Sequence, residues 1–274
     1  MSMTIRTNIS AMMAAGKLGR TQKALGESLG RISSGMRINS AADDAAGLGV
    51  ATSLETDVIS TAQAMRNAND GISLIQTAES ATDEVTNMLQ RMRELAVQSA
   101  SGTLASDERS YIQDEFLQLR SEISRISNVT EFNGLSLTDG SNPTVDVQVG
   151  INGDSNSRIA ISLVSLATTA LGIDAVDLST ALGAQNALAV LDTALGSVNS
   201  ARSDLGAVQN RLESALNNAS VYREALSAAE SQIRDTDFAT ETSNLTKLQI
   251  MQQAGVASLA QAKNINQSVI SLLS

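Results

Sequence analysis

The residues best suited by type to bind a metal ion form two short carboxylate clusters. Asp43 and Asp44 are adjacent, and Asp235 and Asp237 flank Thr236. Carboxylate oxygens are ligands of Ca²⁺ and Mg²⁺, but aspartate also caps helices and closes turns. Both clusters lie where a helix is expected to begin or end, so we interpret them as capping residues and predict no metal site.

Side chains for nucleophilic or acid–base catalysis are largely missing. The chain contains no histidine, the commonest general base, and no cysteine, so disulfides and thiolate sites are also excluded. Serine-rich stretches supply hydroxyls without a base that would activate them. Gly47-Leu48-Gly49 lacks the third glycine and the preceding strand of a dinucleotide-binding loop. The sequence therefore predicts that the chain is not an enzyme and binds no cofactor.

The composition favours helices packed on helices. Hydrophobic residues make up 42% of the 274 positions, yet only 2% are aromatic and none is tryptophan. Enzymes of this size usually build their cores and pockets around large rings, whereas here small and aliphatic side chains must fill the core. Pro143 is the single proline, which leaves nearly the whole chain free to form helices.

Charge and hydropathy limit the kinds of partner. A net charge of −10 opposes nucleic acid, whose recognition needs a basic face. No stretch reaches the roughly 20 apolar residues of a membrane span, and the N-terminal segment lacks the continuous apolar run of a secretory signal. Residues 245–274 carry only Lys247 and Lys263 as charges, so they lack the basic face of a membrane-surface helix. We expect protein partners, with no nucleic acid and no membrane insertion.

Both ends of the chain carry apolar residues at steps of three and four. This spacing places them on one stripe of a helix, the stripe that packs against a partner helix. Chain ends are usually polar and frayed, so apolar ends indicate a protein that joins to something. The residues assigned to a polymerisation interface are Ile5, Ile9, Met12, Leu25, Leu29 and Ile32 at one end and Leu245, Leu248, Met251, Leu259, Ile265, Val269 and Leu272 at the other.

The predicted N-terminal helix, from residue 1 to about 34, contains Gly16, Gly19, Gly26 and Gly30. Each glycine costs a helix about 1 kcal/mol relative to alanine, so this helix should order mainly when packed on other helices. The seven-residue spacing of Gly19 and Gly26 is consistent with close approach of another backbone or with simple tolerance.

The middle of the chain is predicted to contain long helices and a small β region. Residues 35–57, rich in Gly, Ser, Asn and Asp, should form a connector. A helix from about 59 to 100 should be followed, after Gly102, by a second helix capped at Ser106. After a loop through about residue 180 comes the last long helix, whose apolar stripe runs from about 188 to 233, and then the terminal helix.

The β region is predicted from a change of period. Val145, Val147 and Val149 alternate with polar residues, as do the apolar residues between 159 and 163, which is typical of a hairpin. The long helix that follows has Arg202 as the only charged residue on its apolar stripe.

These elements predict a mainly α fold. We expect an elongated antiparallel helical rod or coiled coil, with paired N- and C-terminal helices and a small β-hairpin region. Residues 1–40 and 240–274 are assigned to the paired terminal helices. Residues 41–239 are assigned to a long-helix rod domain, with the β region at about 130–180.

Several segments carry longer and more specific motifs. They are RISSGMRINSAADDAAGLGVA at 31–51, RNANDGISLIQTAESA at 66–81, LQRMRELAVQSA at 89–100, EFNG at 131–134, LGAVQNRLESALNN at 205–218, and IMQQAGVASLAQAKNINQSVISLL from Ile250. These blocks closely resemble those of bacterial flagellins. The resemblance covers roughly residues 1–135 and 185–274.

The resemblance implies a structural subunit that self-assembles into the flagellar filament for swimming motility. In this family the terminal helices form the inner filament core, and the long helices form the tube around it. Subunits are exported unfolded through the filament channel to the extracellular flagellum. The implied partners are other copies of the chain, the export apparatus with its flagellin chaperone, and the filament cap and hook–filament junction proteins. The short middle implies a form without large variable outer domains.

Two regions are also similar to segments of flagellins that host immune receptors recognise. Residues 30–51 resemble the peptide sensed by a plant receptor kinase, although Ala42 stands where lysine is usual. Arg91, Leu95 and Glu115 match the positions of flagellins that an animal Toll-like receptor contacts. The candidate receptor contacts are Asp43, Asp44, Arg91, Leu95 and Glu115.

Other functions remain open at this point. A hook–filament junction protein of the same family has related ends but forms a short ring. A non-flagellar coiled coil would bind its partners as a discrete oligomer. A hydrolase is a third alternative, which the absence of histidine and cysteine opposes.

Overall fold

The computed structural model describes residues 7–271, with side chains through residue 264. Residues up to 56 and from 225 onward form one compact unit, here called the terminal unit, and residues 57–224 form the central unit. The described helices are α1 (Ile9–Ser34), α2 (Ala45–Ser99), α3 (Ser106–Val129), α4 (Ala181–Arg234) and α5 (Phe238–Ser271). The strands are β1 (Glu131–Phe132), β2 (Leu135–Ser136), β3 (Thr144–Gln148) and β4 (Arg158–Ser162). The predicted mainly α class with a small β region is confirmed.

The connector before α2 is shorter than predicted. Asp44 caps α2, because its Oδ1 accepts the backbone N–H of Gly47 at 2.9 Å. A Cβ on Gly47 would lie 2.5 Å from Asp44 Oδ2 and 2.8 Å from Ile38 Cδ1. A larger residue at this position would require the side chain of Asp44 or Ile38 to move. Because α2 begins at Ala45, the prediction of a connector through residue 57 is wrong.

The cap of α3 also differs from expectation, whereas the start of α4 agrees with it. Ala105 holds the cap position of α3, and the Glu108 carboxylate accepts its backbone N–H at 2.8 Å, so Ser106 is not the cap. α4 begins at Ala181, directly after the loop predicted to run to about residue 180, and the Thr180 hydroxyl accepts the backbone N–H of Gly183 at 3.0 Å.

In the central unit, α2 and α4 run antiparallel. Arg93 Nε donates to Asp192 Oδ1 at 2.6 Å, and Arg202 Nη1 lies 3.0 Å from Asp83 Oδ1. Arg202, the charged residue on the apolar stripe of α4, thus forms an ion pair with Asp83 of α2. Such partly exposed pairs contribute roughly 0.2–1 kcal/mol, so they align the helices more than they stabilise them.

The β region matches the predicted alternation. β3 and β4 pair antiparallel, with Val145 opposite Ile161 and Val147 opposite Ile159. Val147, Ile159 and Ile161 are buried in a hydrophobic cluster with side chains of α2 and α4. β1 and β2 join through Asn133 and Gly134, whose φ angles of 51° and 79° form the two-residue turn favoured by Asn-Gly.

The larger hydrophobic cluster of the central unit includes a segment without regular structure. Leu166, Ile173 and Leu178 are fully buried against side chains of α2, α3 and α4. The sequence predicts only a loop up to about residue 180, because these apolar residues follow neither a helical nor a strand period.

Phe116→Ala should lower the free energy of unfolding by about 3–5 kcal/mol, because removing a fully buried ring leaves a cavity. Urea unfolding followed by circular dichroism measures this loss. Tyr111, an aromatic residue on the same helix, is 73% exposed, so Tyr111→Ala should change stability by less than about 0.5 kcal/mol. Equal losses in the two variants would contradict the burial of Phe116.

Candidate assembly surface

The terminal helices α1 and α5 pack against each other in antiparallel orientation. Asn8, the cap of α1, donates from Nδ2 to the Ala262 carbonyl late in α5 at 2.8 Å. Further along α1, Leu18 lies against Gly255, where an added Cβ would be 3.2 Å from Leu18 Cδ1. The predicted pairing of the terminal helices is therefore present.

The buried side of this pair combines small residues with leucine and isoleucine side chains. Since α5 is the main packing partner of α1, the partly buried stripe of α1 faces it. On α1 this stripe comprises Ala11, Ala14, Leu18, Thr21, Leu25, Ser28 and Ile32, and on α5 it comprises Leu245, Leu248, Gln252, Gly255, Leu259 and Ala262. Ser28 is the most buried of the α1 residues, and its hydroxyl has no hydrogen-bond partner. About half of these residues are small, and all of them except Ser28 are only partly buried, so the pair buries little apolar area and is held weakly.

The residues predicted to form one polymerisation stripe fall on two surfaces. Within the pair lie the half-buried residues Leu25, Ile32, Leu245, Leu248 and Leu259. On the outside lie the exposed residues Ile9, Met12, Leu29 and Met251. Ile5 and Leu272, and the side chains of Ile265 and Val269, lie outside the described residues. The role of these residues in polymerisation stays a prediction.

The outer faces of α1 and α5 hold more exposed apolar residues than the sequence stripe included, namely Met13, Phe238, Ile250 and Val256. Two open grooves follow these faces. One, of about 510 Å³, runs between the helices and is lined by Met13, Leu18 and Met251, among others. The other, of about 480 Å³, lies along α1 beside Gly16. The sequence analysis did not include these residues, because it selected apolar residues on a single face of each helix.

The glycines of α1 make no close contact within the described part of the chain. A Cβ added to Gly16, Gly19, Gly26 or Gly30 would meet nothing within 4 Å. The described backbone therefore does not approach them. Approach by another copy and simple tolerance remain the two explanations.

The carboxylate clusters cap and close turns at the ends of helices. Hydrogen bonds from the backbone and hydroxyl of Ser40 and the backbone of Asn39 hold the pKa of Asp43 below its usual range. Asp237 caps α5, accepting the backbone N–H of Ala239 at 2.9 Å and the Thr240 hydroxyl at 2.8 Å. In the described chain, no group of three or more acidic side chains is placed to hold a metal ion.

The non-helical segments that follow α1 and α4 lie side by side in the terminal unit. Met36 and Asp235 form an antiparallel bridge, flanked by hydrogen bonds from Arg37 N to the Arg234 carbonyl and from Thr236 N to the Gly35 carbonyl. Arg234 also lies 2.8 Å from Glu55 at the start of α2. These bonds fix where α1 ends relative to the beginning of α5.

The three Toll-like-receptor candidates are close together but differ in exposure. Arg91 donates to Glu115 at 2.8 Å and to Glu94 at 3.0 Å, and these carboxylates raise the pKa of Arg91. The side chains of Arg91 and Glu115 are each about half exposed. Leu95 is only 2% exposed and belongs to the larger central cluster. Receptor contact through these residues, and through Asp43 and Asp44, stays a prediction.

None of the helices in the described part of the chain is both long and apolar enough to cross a membrane.

Both helical ends of the chain match models of one known protein family. Residues 5–143 match the model of the bacterial flagellin N-terminal helical region, and residues 188–273 match the model of the C-terminal helical region. The chain belongs to the bacterial flagellin family.

Similar flagellins align with the chain over its full length. A flagellin of Halalkalibacterium halodurans is 43% identical over 271 residues, which cover 99% of this chain and 100% of the relative. The flagellar filament 33 kDa core protein of Treponema phagedenis is 42% identical over 287 positions, with 99% and 100% covered. Polar flagellin C of Vibrio parahaemolyticus is 34% identical over 383 positions, covering 100% of each chain, so this flagellin of 274 residues is a short form.

Solved structures give the same fold. The crystal structure of Bacillus cereus flagellin has a TM-score of 0.50 at 31% identity and covers 56% of this chain and 88% of that chain. A putative flagellar hook-associated protein of Vibrio parahaemolyticus has a TM-score of 0.58 at 17% identity, covering 70% and 100%. At that identity the second likeness shows a shared fold alone and does not favour the junction-protein alternative.

Acidification should loosen the first turn of α5 in this flagellin. Hydrogen bonds from the Thr240 hydroxyl and from the Thr240 and Ala239 backbones hold the pKa of Asp237 below its usual range. Because the folded-state pKa is the lower one, the stabilisation is present above the ordinary aspartate pKa and is lost as the pH falls through the folded value.

Amide hydrogen exchange at residues 239 and 240 across an acid pH series measures this effect. Asp237→Asn should keep the cap and remove the acid response, because asparagine caps helices without titrating. Asp237→Ala should raise exchange even at neutral pH. A wild-type acid response in Asp237→Asn would show that another group is responsible.

Proposed function

We propose that this flagellin is the structural subunit of a bacterial flagellar filament and that the outer faces of α1 and α5 join one copy to the next. Family membership over both helical regions and the full-length similarity to a flagellar filament core protein support the filament role. The observation that carries the joint is the set of large apolar side chains exposed on the paired helices: Ile9, Met12, Met13, Leu29, Phe238, Ile250, Met251 and Val256.

The apolar content of this surface favours burial against another protein. Transfer of apolar area out of water is worth about 25 cal/mol per Å², and soluble monomers rarely leave large contiguous apolar patches exposed. Burying these side chains between copies would recover that free energy, which the weak α1–α5 pair does not capture alone.

The polar residues of α5 favour a second copy as the partner. Between residues 248 and 264 the only charged side chain is Lys263, and the exposed polar positions include Gln253, Gln261 and Asn264. Side-chain amides form hydrogen bonds with a neighbour without the desolvation cost of burying charge. An identical surface offers the same neutral, hydrogen-bonding chemistry in return.

The proposed role extends to export and location. We propose that the subunit is not an enzyme and that it travels unfolded through the filament channel to the extracellular flagellum. The partners in this process are the export apparatus, a flagellin chaperone, and the cap and junction proteins. The family resemblance supports this route. It is also supported by α1, in which Ser28 is the only fully buried residue, so little packing must be broken before export.

Recognition by host receptors is a separate part of the proposal. The half-exposed pair Arg91 and Glu115 presents charged groups on the central unit, which supports a receptor contact there. Asp43 and Asp44 already accept backbone hydrogen bonds, so a plant receptor would meet carboxylates that are engaged in turn and cap structure.

Seeded growth under the electron microscope tests the filament role. The purified chain, added to filament fragments, should extend them into long hollow filaments. If it forms only small discrete oligomers, the coiled-coil alternative is correct and the filament proposal fails.

Ile250→Gln tests the joint. Ile250 is 60% exposed, so the variant should unfold within about 0.5 kcal/mol of the wild type. Burying an isoleucine is worth about 1.5–3 kcal/mol, so seeded elongation should slow by roughly tenfold or more.

The matched control is Leu182→Gln, because Leu182 is 68% exposed and lies in the central unit, on α4. It should elongate at the wild-type rate. Normal elongation by Ile250→Gln, or equal loss in both variants, would show that the joint lies elsewhere.

A further inference from the structure

Exposed methionines are concentrated on the two terminal helices. Seven of the nine methionines lie in the described part of the chain. Met12, Met13 and Met251 are 66%, 61% and 42% exposed, whereas Met88 and Met92 in the central unit are 7% and 0% exposed. The other two are half-buried. The most exposed methionines of the described chain are therefore those of α1 and α5.

These three side chains also line the grooves of the proposed assembly surface. Met13 and Met251 face the same groove between α1 and α5. Met12 and Met13 line the second groove, which runs along α1 beside Gly16. Any change in their polarity therefore changes the surface that would meet another copy.

The composition leaves these thioethers as the natural target of an oxidant. The chain has no cysteine, so no thiolate competes for peroxide or hypochlorite. In the reaction with hydrogen peroxide, the sulfur lone pair attacks one peroxide oxygen and the O–O bond breaks. A sulfoxide forms and water leaves, so the sulfur is oxidised by two electrons and the peroxide is reduced.

We propose that Met12, Met13 and Met251 are oxidation sites that decide whether a free subunit can join the filament. A sulfoxide is polar, so burying it between copies without a hydrogen-bond partner is unfavourable. The buried Met88 and Met92 stay reduced, so the oxidised subunit keeps its fold and loses only its ability to assemble. Once a subunit is in the filament, the same contacts shield its methionines. This inference rests on the proposed function of the outer faces.

The test is peroxide treatment of the folded full-length subunit, followed by peptide mass mapping and seeded elongation. Met12, Met13 and Met251 should each gain one oxygen, while Met88 and Met92 remain unmodified and the urea midpoint stays unchanged. Elongation should fall on the order of tenfold, the loss expected for burying an unpaired polar group. Methionine sulfoxide reductases should restore it.

The control variant is Met12→Leu/Met13→Leu/Met251→Leu, which keeps side-chain volume and cannot be oxidised at these positions. It should elongate equally before and after peroxide. The proposal is overturned if oxidised wild-type subunits elongate normally, if Met88 and Met92 react as fast as the exposed three, or if peroxide slows the triple variant equally.

The outcomes also separate this proposal from the proposed function. If untreated wild-type subunits do not extend seeds, the filament role fails and assembly control fails with it, while the peptide map still decides the oxidation sites. If the untreated triple variant does not extend seeds, reductase rescue of the oxidised wild type decides between the two. Recovery of elongation supports oxidation control, and no recovery overturns it.

Discussion

The structure of the central unit depends on burying aliphatic side chains between α2 and α4. Ile75, Leu89, Leu191 and Leu212 are fully excluded from solvent along these two helices. Each such side chain contributes roughly 1.5–3 kcal/mol, whereas the exposed ion pairs between the helices contribute at most about 1 kcal/mol each. With few aromatic rings in the sequence, stability comes from many modest contacts spread along the helices. The β hairpin adds to one hydrophobic cluster along these helices, and α3 and the irregular segment before α4 add to the other.

Features set by a local period could be predicted from the sequence. The steps of three and four predict the long helices, the alternation around Val147 predicts the hairpin, and Asn133-Gly134 predicts its own turn. The failures came where tertiary packing decides. The local sequence around Gly47 is typical of a turn, yet Gly47 lies inside α2, because Asp44 caps a helix that begins at Ala45. The sequence predicts a loop at Leu166, because the apolar residues around it follow neither a helical nor a strand period.

The assembly surface was predictable only in part for a related reason. A stripe of apolar residues on a helix predicts that the helix packs on something, but it does not say on what. The structure assigns Leu25 and Leu248 to contacts between α1 and α5, and leaves Met12 and Ile250 facing outward. The pair buries its small residues and its leucines only in part, so it removes little apolar area from water within itself. The large side chains that face outward remain available to a second copy.

The contact between Leu18 and Gly255 helps to set the register of α1 against α5, together with the hydrogen bond from Asn8 to the Ala262 carbonyl. A slide of α1 along α5 by one turn, about 5.4 Å, would move Leu18 out of the space at Gly255 and against the side chain of Gln252 or Leu259. Sliding would therefore be opposed by a steric collision and by the loss of that hydrogen bond. The terminal pair is thus soft toward separation but stiff toward axial slip, so a subunit can lose its pairing readily and still recover the same register each time it forms.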